Sequence, residues 1–108
     1  MREKLLFVCR RNQWRSPTAE KIYARDPRFA VRSAGLSSSA VRRLGASDVA
    51  WAERIFVMES EHKSQLRAAF RDSLGPRSVH VLEIPDEYGF MDPELVELIR
   101  AGVEAVCG

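Results

Sequence analysis

The apolar run Leu5–Val8 passes without a break into CRRNQWRS, Cys9 to Ser16, and then into Pro17. That junction constrains the fold more than any other part of the chain. Four consecutive apolar residues read as a strand covered on both faces. Ser16-Pro17 reads as a helix start, with Ser16 as N-cap and Pro17 at the first helical position. A loop carrying Arg10, Arg11 and Arg15 therefore opens from the end of a buried strand onto a helix N-terminus. In open α/β sheets, ligands bind at such places.

The remaining elements alternate in the same way. Ala19, Ile22 and Tyr23 give the first helix an apolar face, and Asp26-Pro27 ends it. Phe29 to Ser33 reads as a second strand closed by Ala34-Gly35, and Ser47 as the cap of a short helix through Ala52. Ile55 to Met58 reads as a third strand, followed by a helix from about Ser60 to Phe70. Gly75-Pro76 marks a turn and Val79 to Leu82 a fourth strand. Asp92-Pro93 caps a last helix with Leu95, Leu98, Ile99, Val103 and Val106 on one stripe. Strands separated by helices predict right-handed crossovers and a parallel sheet with helices on both faces.

A length of 108 residues, 45% of them hydrophobic, suits one domain spanning residues 1–108. The net charge of +2 is too small to argue for nucleic acid or a membrane surface. No apolar run is long enough to span a bilayer. The four-residue run near the start is too short for a signal peptide, so a cytoplasmic protein is expected. Cys9 and Cys107 sit in a charged loop and at the far end of the chain, which predicts no disulfide framework.

The loop has the chemistry of an anion cradle. Cys9 and Arg15 are spaced C-x5-R, with Ser16 immediately after. Unpaired backbone N–H groups and the dipole at a helix N-terminus favour an anion. The planar fork of Arg15 suits two oxygens of a phosphate. The same dipole and cations favour Cys9 as a thiolate, a nucleophile placed beneath a bound phosphoryl group. Taken alone, C-x5-R is a weak pattern, and a cysteine at a strand end is more often a small buried hydrophobe. The strand–loop–helix context is what gives the spacing weight.

FVCRRNQWRSPTAE, Phe7 to Glu20, resembles the phosphate-binding loop of the low-molecular-weight protein tyrosine phosphatases, whose pattern runs V-C-x-G-N-x-C-R-S-P-x-A-E. VRSAG (Val31 to Gly35) resembles that family's second strand and its turn. AERIFVMESEH (Ala52 to His62) resembles its third strand and acidic exit. The fold expected is a three-layer α/β/α domain with a four-stranded parallel sheet, order 2-1-3-4, and the phosphate-binding loop after strand 1. The resemblance implies a loop of Arg10, Arg11, Asn12, Gln13, Trp14, Arg15 and Ser16. In it Cys9 is the nucleophile, Arg15 binds phosphoryl oxygens, Asn12 holds the loop backbone and Ser16 donates to the thiolate. No metal or cofactor is needed. The substrate expected is a phosphomonoester, with phosphotyrosine on a protein the family's example.

Phosphocysteine chemistry also needs a general acid for the leaving oxygen. Family members carry it as the Asp of an Asp-Pro-aromatic segment, and IPDEYGFMDPEL offers two candidates. Asp86 stands nine residues before Leu95 and two before Tyr88, an aromatic suited to the pocket mouth. Asp92 precedes Pro93 but has the spacing of an N-cap. Asp86 is the preferred acid and Asp92 the cap, with Glu87 as a further candidate.

The chain departs from the family pattern at two loop positions. Arg11 stands where the family has glycine, which predicts either an altered loop or a second positive contact. Trp14 replaces the second loop cysteine and is expected to pack beneath the loop. Gln13 occupies the position that helps choose the leaving group. The stretch between Gly35 and Ser47 is shorter than in the family. His62 and His80 lack metal-ligand spacing. Trp51 is expected to pack the short helix on the sheet, Arg42 and Arg43 to be solvated, and Cys107 to be an exposed incidental thiol. Two other functions remain open: a phosphate-binding module without turnover, and an arsenate reductase, which needs resolving cysteines beyond Cys107.

Overall fold

A computed structural model describes residues 2–108. In chain order the elements are β1 (Glu3–Cys9), α1 (Arg15–Tyr23), β2 (Phe29–Gly35), α2 (Ala46–Trp51), β3 (Arg54–Val57), α3 (Ser60–Ala69), α4 (Arg71–Leu74), β4 (Val79–Val81) and α5 (Pro93–Cys107). The strands form one parallel four-stranded sheet in the order β2-β1-β3-β4. This is the α/β architecture and strand order that the sequence predicts.

Successive residues of a strand face opposite sides of the sheet, and β1 separates its two sides accordingly. Leu5, Phe7 and Cys9 join Ala19 and Tyr23 of α1 and Leu95, Ile99 and Val103 of α5 in one core. Leu6 and Val8 join Val49 of α2, Leu66 of α3 and Leu74 of α4 in the other. Phe7 is fully buried between Tyr23 and Phe56, with ring centroids 6.1 and 5.5 Å away. A truncation of such a residue to alanine typically costs about 3–5 kcal/mol.

The helix after β1 covers one face and the helix after β3 covers the other. The chain therefore diverges between the C-terminal ends of β1 and β3, leaving a crevice there. Cys9 is the last residue of β1, and Glu59 lies two residues past β3.

Several local assignments differ from the sequence reading. The first helix begins at Arg15 with Trp14 at the cap position, so Ser16 lies inside the first turn and is not the cap. The second helix starts at Ala46 after Gly45, and Asp48 takes the capping role expected of Ser47: its carboxylate accepts the Gly45 N–H at 3.1 Å. β2 runs on through Ala34 and Gly35 because Gly35 stays in register with Cys9. Trp51 does pack on the sheet face with α2, with the Arg32 guanidinium 4.2 Å above its ring. Asp92 caps α5 as expected, accepting the Glu94 N–H at 2.9 Å.

No helix among the described residues is long and apolar enough to cross a membrane. Both cysteines are free. Cys107 is half-buried against the first core, with Glu3 and Arg54 as charged neighbours, and burial pushes its thiol up. Cys107 has Glu3, the first residue of β1, as a neighbour, whereas Cys9 ends that strand, roughly 20 Å further along it. A disulfide needs Cα atoms within about 7 Å.

Candidate active site

The loop from Cys9 to Ser16 is shaped by what its carbonyls do. The Cys9, Arg10 and Arg11 carbonyls accept from the N–H groups of Leu36, Ser37 and Val41 at 3.0, 2.8 and 3.0 Å. The C=O and N–H of one peptide unit point in opposite directions. The N–H groups of Arg10, Arg11 and Asn12 are thereby turned away from residues 36–41. The Asn12 N–H reaches Cys9 Sγ at 3.2 Å. The short stretch after Gly35 thus acts as a clamp on the loop's outer side.

Gly35 makes that clamp possible. A Cβ there would meet the Arg10 carbonyl oxygen and the Arg11 carbonyl carbon at 2.9 Å each, and Ala40 Cβ at 2.6 Å. The residue with left-handed backbone in the loop is Asn12, with φ of 54°. Asparagine tolerates that region better than most residues. Arg11, at the family's glycine position, has no positive φ; its side chain is exposed and lines the cavity.

Side chains complete the cradle. Asn12 Nδ2 donates to Ser16 Oγ at 2.9 Å and to Ser33 Oγ at 3.0 Å, and the Ser33 hydroxyl donates to Glu20. Ser16 Oγ lies 3.0 Å from Cys9 Sγ. With its oxygen already accepting from Asn12, the Ser16 hydroxyl has its proton available for the sulfur. Two donors therefore converge on Cys9, which is only 3% exposed.

Arg15 is also 3% exposed, unusual for a charged side chain unless it is paired. Its Nη1 donates to Glu59 Oε2 at 2.6 Å and to the Ile84 carbonyl at 2.7 Å. Both Nη1 protons are thus occupied. The edge formed by Nε and Nη2 is left to face the cavity, a fork of two parallel N–H groups. The Arg15 guanidinium bonded to Glu59 holds that carboxyl below the usual glutamate range. Glu59 also donates its N–H to His62 Nδ1 at 3.2 Å, which assigns the imidazole proton to Nε2, 3.7 Å from Glu59 Oε2. Burial and the Arg15 charge push His62 below its ordinary value, so it is held neutral.

A cavity of about 370 Å³ opens above this arrangement, lined by Cys9, Arg10, Arg11, Gln13, Trp14, Arg15 and Asp86. Asp86 Oδ1 stands 3.8 Å from Arg15 Nε, on a side chain that is largely exposed. Glu87 and Asp92 are not among the lining residues. Trp14 does not pack beneath the loop as expected. It is 45% exposed on the cavity wall, at the cap position immediately before α1 begins, which leaves the indole on the rim. Tyr88, expected at the mouth, instead packs partly buried against the first core. The neighbouring Glu94 pushes its hydroxyl up through a hydrogen bond.

No family model and no curated protein matches the sequence. Solved structures do match it. The chain is similar to the YwlE arginine phosphatase from Geobacillus stearothermophilus, with a TM-score of 0.76 and 22% identity over 97% of this chain and 93% of that one. It is similar to the tyrosine phosphatase Wzb from Escherichia coli K30 in complex with phosphate, at 0.77 and 19%, covering 97% and 96%. It is likewise similar to SP-PTP, a low-molecular-weight protein tyrosine phosphatase from Streptococcus pyogenes, at 0.76 and 18%, covering 95% and 89%. The fold is that of the low-molecular-weight protein tyrosine phosphatases.

On this low-molecular-weight phosphatase fold, the sequence reading passed over two groups near the loop. Glu59 was only part of an acidic exit from strand 3, yet it anchors Arg15. Asp48 is 3% exposed and accepts from Arg42 and Arg32. Burial pushes its carboxyl up, but the Arg42 hydrogen bond, the Gly45 N–H and both guanidinium charges outweigh this and hold it below 3.8. Arg42, expected to be solvated, is therefore tied to Asp48, and its Nη1 donates to the Ser33 carbonyl at 2.8 Å. The one available signal was the Gly45-x-x-Asp48 spacing of a helix start.

Proposed function

We propose that this protein is a cysteine-dependent phosphatase that hydrolyses a phosphomonoester through a phosphocysteine intermediate. One observation carries the reading. The Cys9 sulfur sits at the wall of the cavity with the Asn12 N–H and the Ser16 hydroxyl directed at it, beside an arginine with one free fork. A sulfur held between two donors at a cavity wall is placed as a nucleophile. The Nε–Nη2 edge of Arg15 and the loop N–H groups hold the phosphoryl oxygens, whose charge grows as the reaction proceeds.

In the first step the thiolate attacks phosphorus in line with the leaving oxygen. The S–P bond forms, the P–O bond breaks, and the Asp86 carboxyl gives its proton to the leaving group. In the second, the Asp86 carboxylate takes a proton from water, the water oxygen attacks phosphorus, and the S–P bond breaks to release phosphate. The catalytic set is Cys9, Arg15 and Asp86, with Arg10, Arg11, Asn12, Gln13, Trp14 and Ser16 completing the loop. No metal or cofactor enters either step. A reducing compartment such as the cytoplasm suits a mechanism that needs a free thiol.

The neighbours' names include tyrosine and arginine phosphatases. The exposed Trp14 indole on the rim favours an aryl leaving group, since it offers an aromatic face for stacking. Phosphotyrosine on a protein is therefore the substrate we favour. A binding module without turnover has two supports in the sequence, Arg11 at the family's glycine position and Pro85, which precedes Asp86 where the family's proline follows the acid; the first of them bears on the loop itself. The Arg11 support is weakened because Arg11 has no positive φ, while the proline support stands. The arsenate reductase reading needs a resolving cysteine near Cys9, and Cys107 lies at the other end of β1.

The test is hydrolysis of an aryl phosphate at mildly acidic pH without added metal, set against Cys9→Ser. Turnover that disappears in the variant is expected. Full activity in Cys9→Ser refutes the mechanism. No turnover, with phosphate still protecting Cys9 from alkylation, assigns the protein to the binding class.

A further inference from the structure

A second cavity, of about 550 Å³, adjoins the first and shares Arg10 with it. Its walls include Leu36, Leu44, Phe70, Gln65 and a second arginine, Arg43. Arg10 and Arg43 are both exposed, and the ion pairs among the described residues involve other arginines. No acidic residue lines this second cavity. Its apolar walls lie where the Leu36–Leu44 segment meets the end of α3, beside a loop backbone fixed by the Leu36, Ser37 and Val41 N–H groups.

We propose that this groove is a substrate subsite that receives an acidic residue flanking the phosphorylated residue of a phosphoprotein. The proposal rests on the reading of the Cys9 loop as the phosphoryl site. Arg10 follows the nucleophile directly in sequence, so its side chain lies where a substrate chain leaves the phosphoryl pocket. An extended peptide advances about 3.4 Å per residue, which places the next one or two side chains over the neighbouring groove. Two unpaired guanidinium groups select a carboxylate there, and Leu36 and Phe70 cover the methylene stem. A compact bisphosphate would fill the arginine positions and leave those apolar walls without a partner. The groove matches a peptide better than a small dianion.

The test separates the subsite from the catalytic reading by measuring binding. Short phosphotyrosine peptides that differ only in flanking glutamate, alanine or lysine are titrated onto the Cys9→Ser protein. Each affinity is expressed relative to that of inorganic phosphate, which reports on the Cys9 loop alone. The glutamate peptide is expected to bind about fivefold more tightly than the alanine peptide, the scale of exposed charge contacts, and the lysine peptide more weakly. Arg43→Gln should shrink that preference, and Arg43→Glu should reverse it in favour of lysine. Equal relative affinities across the panel, or the same glutamate preference in both Arg43 variants, overturn the subsite. An equal gain for a small phosphorylated carboxylic acid also overturns it, assigning the groove to a metabolite. Absence of phosphate binding would sink the underlying site as well. Binding without hydrolysis of an aryl phosphate by the native chain would remove only the phosphatase reading.

Discussion

The Ser16 hydroxyl stands 3.0 Å from the Cys9 sulfur, on the first turn of α1, and its oxygen already accepts the Asn12 side-chain amide. Its single proton is therefore directed to sulfur. In Ser16→Ala a donor to the sulfur is lost, and Asn12 Nδ2 loses one of its two partners. The expected effect on kcat is a fall of about 10- to 100-fold. Steady-state kinetics on an aryl phosphate would show it, with KM changed far less. An unchanged kcat would mean that sulfur is sufficiently served by the Asn12 N–H.

Asp86 should act mainly on the leaving group. Asp86→Asn is expected to lower kcat/KM about 10²- to 10⁴-fold for an alkyl or poorly activated aryl phosphate, the usual range for a general acid. The loss should shrink for leaving groups that depart readily without a proton. A series of substituted phenyl phosphates measures this directly. A uniform loss across the series would exclude the acid role, and an equal loss in Asp92→Ala would move it to Asp92. That substitution should instead cost about 1 kcal/mol of stability as a lost cap.

Glu59 holds Arg15 through its Nη1 and does not line the cavity, so on the phosphatase reading it is a positioning residue. Glu59→Ala removes the acceptor of one Nη1 proton and should lower kcat/KM about tenfold, within the energy of one charge-assisted hydrogen bond. Glu59→Gln keeps an oxygen at that place and should recover most of the activity. Rescue by glutamine separates positioning from charge. If both variants are equally impaired, the negative charge itself is required.

Asp48 gives the fold a stability term that depends on pH. Its carboxyl is held below 3.8 in the folded chain, so the contribution is present above that value. It is lost as pH falls through the lower folded value. Asp48→Asn should cost about 1–3 kcal/mol near neutrality and flatten the acid side of the stability profile. Denaturant midpoints for both proteins across the acid range test this. Parallel profiles would show that other carboxylates carry the acid sensitivity. His62 adds a slope of the same sign: it is held below 6.5, so acidification below that value favours the unfolded chain.

The strand–loop–helix unit was legible because local signals agree there. Leu5–Val8 can only be buried, and Ser16-Pro17 announces a helix. The cap itself was misplaced because Ser-Pro looks the same whether serine serves the backbone or, as here, turns its hydroxyl to Cys9. Trp14 misled for a different reason. Bulk and hydrophobicity predict burial, but its position between loop and helix decides where it points. Arg15 and Asp48 carry charges, which read as surface. Arg15 is buried by a partner 44 residues away, which no local window contains. The partners of Asp48, 6 and 16 residues away, are close in sequence but face it only once the chain has turned from β2 into α2. Arg42 was misread by the same limitation.

The three clamped carbonyls mean that the cradle is assembled before any anion arrives. Little conformational entropy is then surrendered on binding, since the N–H groups are already turned to their places. If the loop is the anion site proposed, readiness of this kind brings indiscriminate hospitality: any tetrahedral oxyanion of similar size would fit. On the phosphatase reading, the enzyme's own product is such an ion, and sulfate is another. Throughput in a phosphate-rich medium would be governed by how quickly the reaction's inorganic residue departs, and selectivity would have to come from what lies outside the cradle.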